Sequence, residues 1–495
     1  MTTGIHRGRR KKKNMDIVMV LVAVVAVAAV VFMLIKKMDI KISLFLIGIL
    51  LMYVAMAMGR PIAFSDFASS GVAWLDPFKV VGDQFVSTLT SAGFVMLILG
   101  GYTAYMSRIG ANEVTVSVLS KPLGHIKSAY VLVPITFLLG NLLSLVIPSA
   151  SNLSIILLAT LFPVLRQAGM STLSAAAVVA TSATVMPTPL GSDNIAISAE
   201  LAETAQFAGI TASEYVFRYH VLVSIPTLFA MAVAHYFWQR FMDRRDERLG
   251  RVAVTDDGQI ELAEVKQITG GALYRTVYAI LPLLPIIMLL VVFAITSITG
   301  FDIDISVQLA SILSFVIAII CEFVRTRDAR KTLDDTESFF KGMGGAMPVV
   351  ALLVAASVFV VGLQSIGLID ALQNAMTGIQ GGGLGFVLPL LLVGLTALIV
   401  ILSGSGTALF FAMVPLMIPL AAAAGINVLA VTIPMSLAGN LLRELSPVAG
   451  VIMIVSGTVK KSPFEIIRRT SVPMIVGVVV MFVLSMAIFL PMGTA

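Results

Sequence analysis

From Leu384 to Leu402 the chain runs without one charged side chain. Eleven further segments are of similar apolar character, near 16–35, 42–58, 91–107, 128–147, 172–187, 216–239, 273–297, 305–324, 346–369, 428–442 and 466–491. About 20 such residues suffice for one helical crossing of a bilayer. Inside lipid every backbone N–H and C=O must be satisfied by the chain itself, which leaves helices or closed barrels, and continuous apolar runs without alternation favour helices. Only 12% of the 495 residues are charged and the mean hydropathy is +1.00, whereas soluble domains carry about 25% charge. A soluble enzyme and a disordered chain are both excluded, and an all-α polytopic membrane protein remains. The single cysteine, Cys321, has no partner for an internal disulfide and reads as an apolar filler.

The net charge of +6 reads as basic cytoplasmic loops rather than nucleic-acid binding. Arg240, Arg244, Arg245, Arg248 and Arg251 cluster in one connection, Arg325, Arg327, Arg330, Lys331 and Lys341 in another, and Lys460, Lys461, Arg468 and Arg469 in a third. Loops 240–272, 325–345 and 460–469 are therefore expected on the cytoplasmic side. The connections carrying Glu200, Glu203 and Glu214, and Asp302 and Asp304, read as external. His235 and Trp238, just before Arg240, read as interfacial anchors.

Four apolar pieces, 148–165, 188–203, 406–424 and 447–459, read as too short to span alone, and they recur in order. Pro148-Ser149-Ala150-Ser151-Asn152 ends one apolar helix and starts a short one reaching Gly169. Leu402-Ser403-Gly404-Ser405-Gly406-Thr407 does the same, reaching Gly425. Later, Pro187-Thr188-Pro189-Leu190-Gly191-Ser192-Asp193-Asn194 breaks a helix in the first half, and the run from Arg443 to Gly450 breaks one in the second. Long final helices follow Ser213-Glu214 and Ser462-Pro463-Phe464-Glu465.

Each half thus reads as three spans, a re-entrant helical hairpin, a broken span and a final span. A hairpin adds no net crossing, so each half crosses five times, and an odd count inverts the second half relative to the first. The expected divisions are a basic extension 1–14, a first repeat 15–241, a cytoplasmic linker 242–272 and a second repeat 273–495. The count places the N-terminus outside, against the pull of the basic residues between Arg7 and Lys13; a start at Met15 removes that conflict. Ordinary kinks are the alternative to this pattern, but four breaks at matched places favour inverted repeats, the architecture of secondary transporters with a site at the repeat interface.

A broken helix exposes N–H groups at its new N-terminus and carbonyls at the preceding end, which attract anions and cations respectively. Ser149, Ala150, Ser151 and Asn152 at one tip, and Ser403, Gly404, Ser405, Gly406 and Thr407 at the other, are candidates for holding a carboxylate at each end of an anion; helix capping is their plainer role. Charges inside the apolar body are rare, because one at the centre of a membrane helix costs at least ~2.5–3.5 kcal/mol on insertion scales. Arg443 is the candidate carboxylate clamp, since its planar fork matches a carboxylate; pairing with Glu444 or Asp193 is the competing role. Asn440, Ser446 and Pro447 complete the substrate-binding set. Thr188, Pro189, Gly191, Ser192, Asp193, Asn194 and Glu444 are candidates for ion coupling or for shaping the breaks. No phosphate loop, His-Glu-x-x-His or Gly-x-Ser-x-Gly occurs, so the chain is read as no enzyme and as needing no cofactor, driven by gradients rather than by its own ATP hydrolysis.

At these positions the chain resembles the DcuC family of anaerobic four-carbon dicarboxylate carriers, over nearly its whole length from Met15. The resemblance rests on Tyr105-Met106-Ser107-Arg108-Ile109-Gly110-Ala111-Asn112, Leu158-Ala159-Thr160-Leu161-Phe162-Pro163-Val164, Ala234-His235-Tyr236-Phe237-Trp238-Gln239-Arg240 and Thr432-Ile433-Pro434-Met435. Ser462-Pro463-Phe464-Glu465 and Arg469-Thr470-Ser471-Val472-Pro473 add to it. It implies exchange, uptake or efflux of succinate, fumarate and malate across a bacterial inner membrane, coupled to protons. It further implies an elevator-type fold with scaffold and transport domains, and a homodimer. Gly404-Ser405-Gly406, Asp193, Arg443, Ser446 and Pro447 match the family pattern, whereas Asn152 replaces a glycine, Thr407 an asparagine and Glu444 a threonine. Distant relatives hold sodium with Ser-Asn-Thr at both tips. Ser151-Asn152 and Ser405-Gly406-Thr407 match in part, which makes sodium near Asn152 and Ser405 an alternative coupling ion. The competing functional readings are a carrier of another carboxylate or peptide-like anion, and an ion channel or non-transporting membrane subunit.

Overall fold

The computed structural model describes residues 19–493 apart from 20, 24, 31, 34, 35, 37, 65, 66, 127, 148, 251–270, 302, 304 and 369–384. The basic extension, Met15, Pro148, most of the linker, Asp302 and Asp304 lie outside the described residues. Among those described the regular structure is helical, with no strand. Apolar helical residues at 21–23 and 25–30 precede α1 (Ile40–Ala57), α2 (Asp76–Thr88), α3 (Phe94–Arg108), α4 (Ala111–Ser120), α5 (Ala129–Ser144) and α6 (Ala150–Gln167). Then come α7 (Thr172–Ala180), α8 (Ser192–Ala202), α9 (Val221–Arg248), α10 (Ala272–Ile280), α11 (Leu284–Thr299) and α12 (Val307–Thr326). The chain closes with α13 (Glu337–Ser365), α14 (Val387–Ser403), α15 (Gly406–Ala424), α16 (Leu429–Arg443), α17 (Gly450–Val459) and α18 (Pro463–Phe489).

Local chemistry accounts for many of the boundaries. The Asp39 carboxylate accepts from the Lys41 and Ile42 N–H groups and caps α1; Ser306 caps α12 through the Leu309 N–H. The two long closing helices open on matched capping boxes. Thr211 pairs with Glu214 ahead of α9, and Ser462 with Glu465 at α18. The first cap is Thr211, just before the Ser213-Glu214 pair.

Eight continuous helical stretches among the described residues are long and apolar enough to cross a membrane. One of them, Ala150–Gln167, is α6 itself, which the sequence treats as too short to span. Another runs from Ala73 to Arg108, well before the expected start at 91. Its first part, α2, carries Asp76, Lys79, Asp83 and Gln84 among apolar residues, so averaged hydropathy hides an amphipathic helix. A Lys79–Asp83 ion pair of 2.6 Å and the Ser69 and Ser70 hydroxyls on Asp76 hold those groups.

Helix packing distinguishes two sets, which share one continuous apolar core. In one, α13 packs on α1, α2 and α3. The crossings are close because glycines meet: a Cβ on Gly362 would stand 2.7 Å from the Gly48 carbonyl oxygen, and one on Gly342 would stand 2.5 Å from that of Gly100. Small residues replace the hydrophobic drive that lipid does not supply. In the other, α9 packs on α18 and α5, and α16 on α14, α15 and α18. α7 and most of α16 are buried on all sides, as expected of helices apolar all round. The sets meet where α15 touches α13 and α8.

Candidate functional site

Both expected helix breaks exist, and the first is wider than the sequence suggests. α7 stops at Ala180, and helix resumes only at Ser192. Hydroxyls in the run that follows turn back on the helix: Thr181 Oγ1 bonds the Ala177 and Val178 carbonyls, and Ser182 Oγ bonds Val178. Such local bonds compete with helix continuation.

A residue that sequence reasoning missed holds the unwound run. Asn141 on α5, 2% exposed, donates from Nδ2 to the Thr181 carbonyl at 3.1 Å. Its Oδ1 accepts from the Thr184 and Val185 N–H groups at 3.0 and 3.1 Å. A lone asparagine in an apolar helix was the only available signal. Leaving a buried donor unmade costs ~1–3 kcal/mol, so Asn141→Leu is expected to lower stability by about 2–3 kcal/mol. Thermal unfolding of the purified variant checks this, and an unchanged midpoint refutes it.

Thr188 and Asn194 shape the same break. Thr188 Oγ1 accepts from the Leu190 N–H, and Asn194 Nδ2 donates to the Met186 and Thr188 carbonyls at 3.2 and 2.9 Å. Pro189 is buried, whereas Ser192 and Asp193 are half-buried at the first turn of α8. The Asp193 carboxylate accepts from the Asn194 N–H at 3.0 Å and lies 3.5 Å from Ser436 Oγ on α16. A Cβ on Gly191 would stand 2.6 Å from Asp193 Oδ1, so a larger residue there would push the Asp193 carboxylate aside.

The second tip is seated on the second break. Gly404 closes α14 at φ +75°, and a Cβ there would stand 2.8 Å from the Val448 carbonyl. Ser446 Oγ donates to the Ile401 carbonyl at 2.8 Å, and Pro447 beside it is half-buried. Ser403 Oγ accepts from the Ser405 N–H. Gly406 presses backbone to backbone on Gly439, whose carbonyl a Cβ would strike.

These pieces enclose a cavity of about 120 Å3 lined by Ser192, Asp193, Gly406, Thr407, Asn440 and Arg443, with Ser436, Phe410 and Phe411. It has room for several water molecules. Arg443 bridges the two breaks, because Nη2 donates to the Ala183 carbonyl at 2.9 Å. Nε and Nη2 also bind Glu444 Oε1 at 3.1 and 3.0 Å, and Nη1 is 3.5 Å from Asn440 Oδ1.

The first tip is elsewhere. Ser149 caps α6 by accepting from the Asn152 N–H, and Ala150 is half-buried. Ser149, Asn152 and Ser192 line a separate cavity of about 440 Å3 against Gly100, Tyr102 and Gly342 of the other helix set. Ser151 Oγ would lie 3.2 Å from a Cβ on Gly450, so this tip also abuts the second break. Among the described residues no cluster of His, Cys, Asp and Glu is grouped to hold a metal.

Two residues read from sequence as surface groups are buried. His235 is fully enclosed, with Nε2 3.2 Å from Thr181 Oγ1 and its ring 4.8 Å from that of Phe137. Arg469 is 2% exposed and pairs with Asp243 and Asp246, both at 2.5 Å. The helix-face position of each is set by packing, which loop charge does not reveal. Trp238 is half-buried and donates to the Arg468 carbonyl. Glu322, near the end of α12, is buried against Arg325 and Tyr278.

A family profile described as "C4-dicarboxylate anaerobic carrier" (DcuC) matches residues 15–490. The anaerobic C4-dicarboxylate transporter DcuC of Escherichia coli K12 is 37% identical over 445 residues, 89% of this chain and 90% of its own. The probable transporter of that name from Vibrio cholerae is 36% identical over 443 residues, 89% of this chain and 91% of its own. Among solved structures, the YdaH transporter of Alcanivorax borkumensis superposes with a TM-score of 0.63 at 16% identity, covering 90% of this chain and 96% of that one. MtrF of Neisseria gonorrhoeae, described among antimetabolite efflux pumps, gives 0.58 at 13%, covering 90% and 94%. At those identities the two structures speak for the fold alone.

Proposed function

The chain belongs to the DcuC family of C4-dicarboxylate anaerobic carriers, and on that footing we propose that it carries succinate, fumarate and malate by ion-coupled transport or exchange. It is a multi-pass protein of the inner membrane, a transporter and not an enzyme. The observation that carries the substrate reading is the meeting of Arg443, Asn440, Asp193 and the Gly406–Thr407 tip at one cavity. An arginine inside an apolar bundle is costly unless it has a task, and its planar fork suits a carboxylate. The Gly406 tip and the start of α8 bring helix N-termini, which favour anions, to the same place.

Two inverted halves with alternating access of the elevator type are the working architecture we adopt. Supporting it are the repeated order of helix, tip, helix, break and capped closing helix, the separation into two packed sets, and the small residues that face the first tip. Asp193 and Glu444 are the proposed proton-coupling groups, with sodium near Asn152 and Ser405 as the alternative. The three basic loops are assigned to the cytoplasm.

Reconstituted protein is expected to take up labelled succinate into liposomes saturably, with competition by fumarate and malate but not by butyrate. Varying sodium and pH separately identifies the driving ion. Failure to move succinate, together with a thermal shift by some other carboxylate or a peptide, overturns the dicarboxylate reading.

A further inference from the structure

Glu444 is enclosed completely, at 0% exposure, one side chain behind the cavity wall that Arg443 forms. Its Oε1 takes two donors from the side edge of the guanidinium, Nε at 3.1 Å and Nη2 at 3.0 Å. Its Oε2 has no hydrogen-bond partner and no contact with solvent. That side edge is the one a carboxylate engages in a two-pronged pair. With Nη2 also bound to the Ala183 carbonyl, Nη1 is the nitrogen that bonds neither Glu444 nor Ala183, and it lies 3.5 Å from Asn440 Oδ1.

We propose that Glu444 is a resident stand-in for a substrate carboxylate, which leaves Arg443 when substrate takes the side edge and then accepts one proton from water. The inference rests on the dicarboxylate reading. Its physical basis is the enclosure. An ionised carboxylate buried with a single charged partner is left uncompensated once that partner is taken, and a group so placed takes up a proton. The exchange balances: one carboxylate arrives at Arg443, one carboxylate leaves it, and one proton moves from solvent to Glu444. Without that proton, a dianion would join Asp193 and Glu444 around a single guanidinium.

Few other groups can intervene. α14, α15 and α17 bring no titratable side chain. α8 brings Asp193 across the cavity. α18 brings Arg469, already taken by Asp243 and Asp246 of α9, and its Thr470 hydroxyl bonds only the Glu444 carbonyl on this segment. His235 of α9 is occupied at Thr181 and Gln239.

The test is isothermal titration calorimetry of succinate into the purified full-length protein, in buffers of different ionisation heat, which counts protons taken up per succinate bound. Wild type is expected to take up one proton more than Glu444→Gln, and Asp193→Asn is expected to keep that extra proton. In the pH range of uptake, wild-type affinity should fall up to tenfold more per pH unit than that of Glu444→Gln, as one linked proton requires. Equal proton counts for wild type and Glu444→Gln overturn the proposal, as does zero uptake by wild type; loss of the proton in Asp193→Asn alone assigns it to Asp193 instead. Glu444→Ala serves in the same comparison if the glutamine variant does not fold. No succinate binding to wild type overturns the dicarboxylate reading and this inference with it, whereas binding with equal proton counts overturns this inference alone.

Discussion

Arg443→Ala is expected to slow succinate transport about a hundredfold or more, because truncating one partner of a desolvated charge pair costs ~2–5 kcal/mol and 2.7 kcal/mol is a factor of about 100. Part of that loss would come from Glu444, which is fully buried and stripped of its charged partner in this variant. The double variant Arg443→Ala/Glu444→Gln separates the two effects. It removes the stranded charge, so its melting temperature should recover toward wild type while transport stays lost. Arg443→Lys keeps one positive charge but cannot reach Glu444 Oε1, the Ala183 carbonyl and the cavity together, since an ammonium is a point donor and not a planar fork. It should fall between wild type and alanine. Normal succinate uptake by a folded Arg443→Ala protein in liposomes would remove Arg443 from the site.

Arg469→Ala should be the most destabilising single change. Asp243 and Asp246, with side chains 9% and 13% exposed, both pair with Arg469 at 2.5 Å, and the Ser171 and Ser174 hydroxyls already donate to Asp243. Removing one partner of a buried ion pair costs ~3–5 kcal/mol because the charge left behind is uncompensated. Thermal unfolding in detergent should show a large drop in midpoint. Adding Asp243→Asn and Asp246→Asn to Arg469→Ala should recover much of it, since replacing all members of a buried ion cluster is far milder than removing one. A single Arg469→Ala variant that melts like wild type refutes the arrangement.

What was readable in the chain depended on scarcity. Asp193 and Arg443 stood out because most other charges fall near the ends of the apolar runs or between them, and the cavity brings the two together from positions 250 residues apart. The tips and the second break were readable because Gly, Ser and Pro interrupt strong apolar runs. The first break began earlier than expected because its cause is a run of small hydroxyl residues, Thr181, Ser182 and Thr184, which hydropathy scarcely registers. Asn141 and Arg469 escaped for a different reason. Each is defined by what it meets across 40 to 226 residues of chain, and no local window contains both partners. The separate location of the first tip, facing Gly342 and Tyr102 rather than Arg443, was equally beyond local pattern.

The contact of Gly406 with Gly439 has one more consequence. Backbone against backbone leaves no adjustable side chain between the second tip and α16, while Ser446 and Gly404 fasten the same tip to the second break. Any slip of the tip along α16 would have to break this backbone contact. In the proposed elevator motion, the second tip, α16 and the second break would accordingly travel together as one rigid corner.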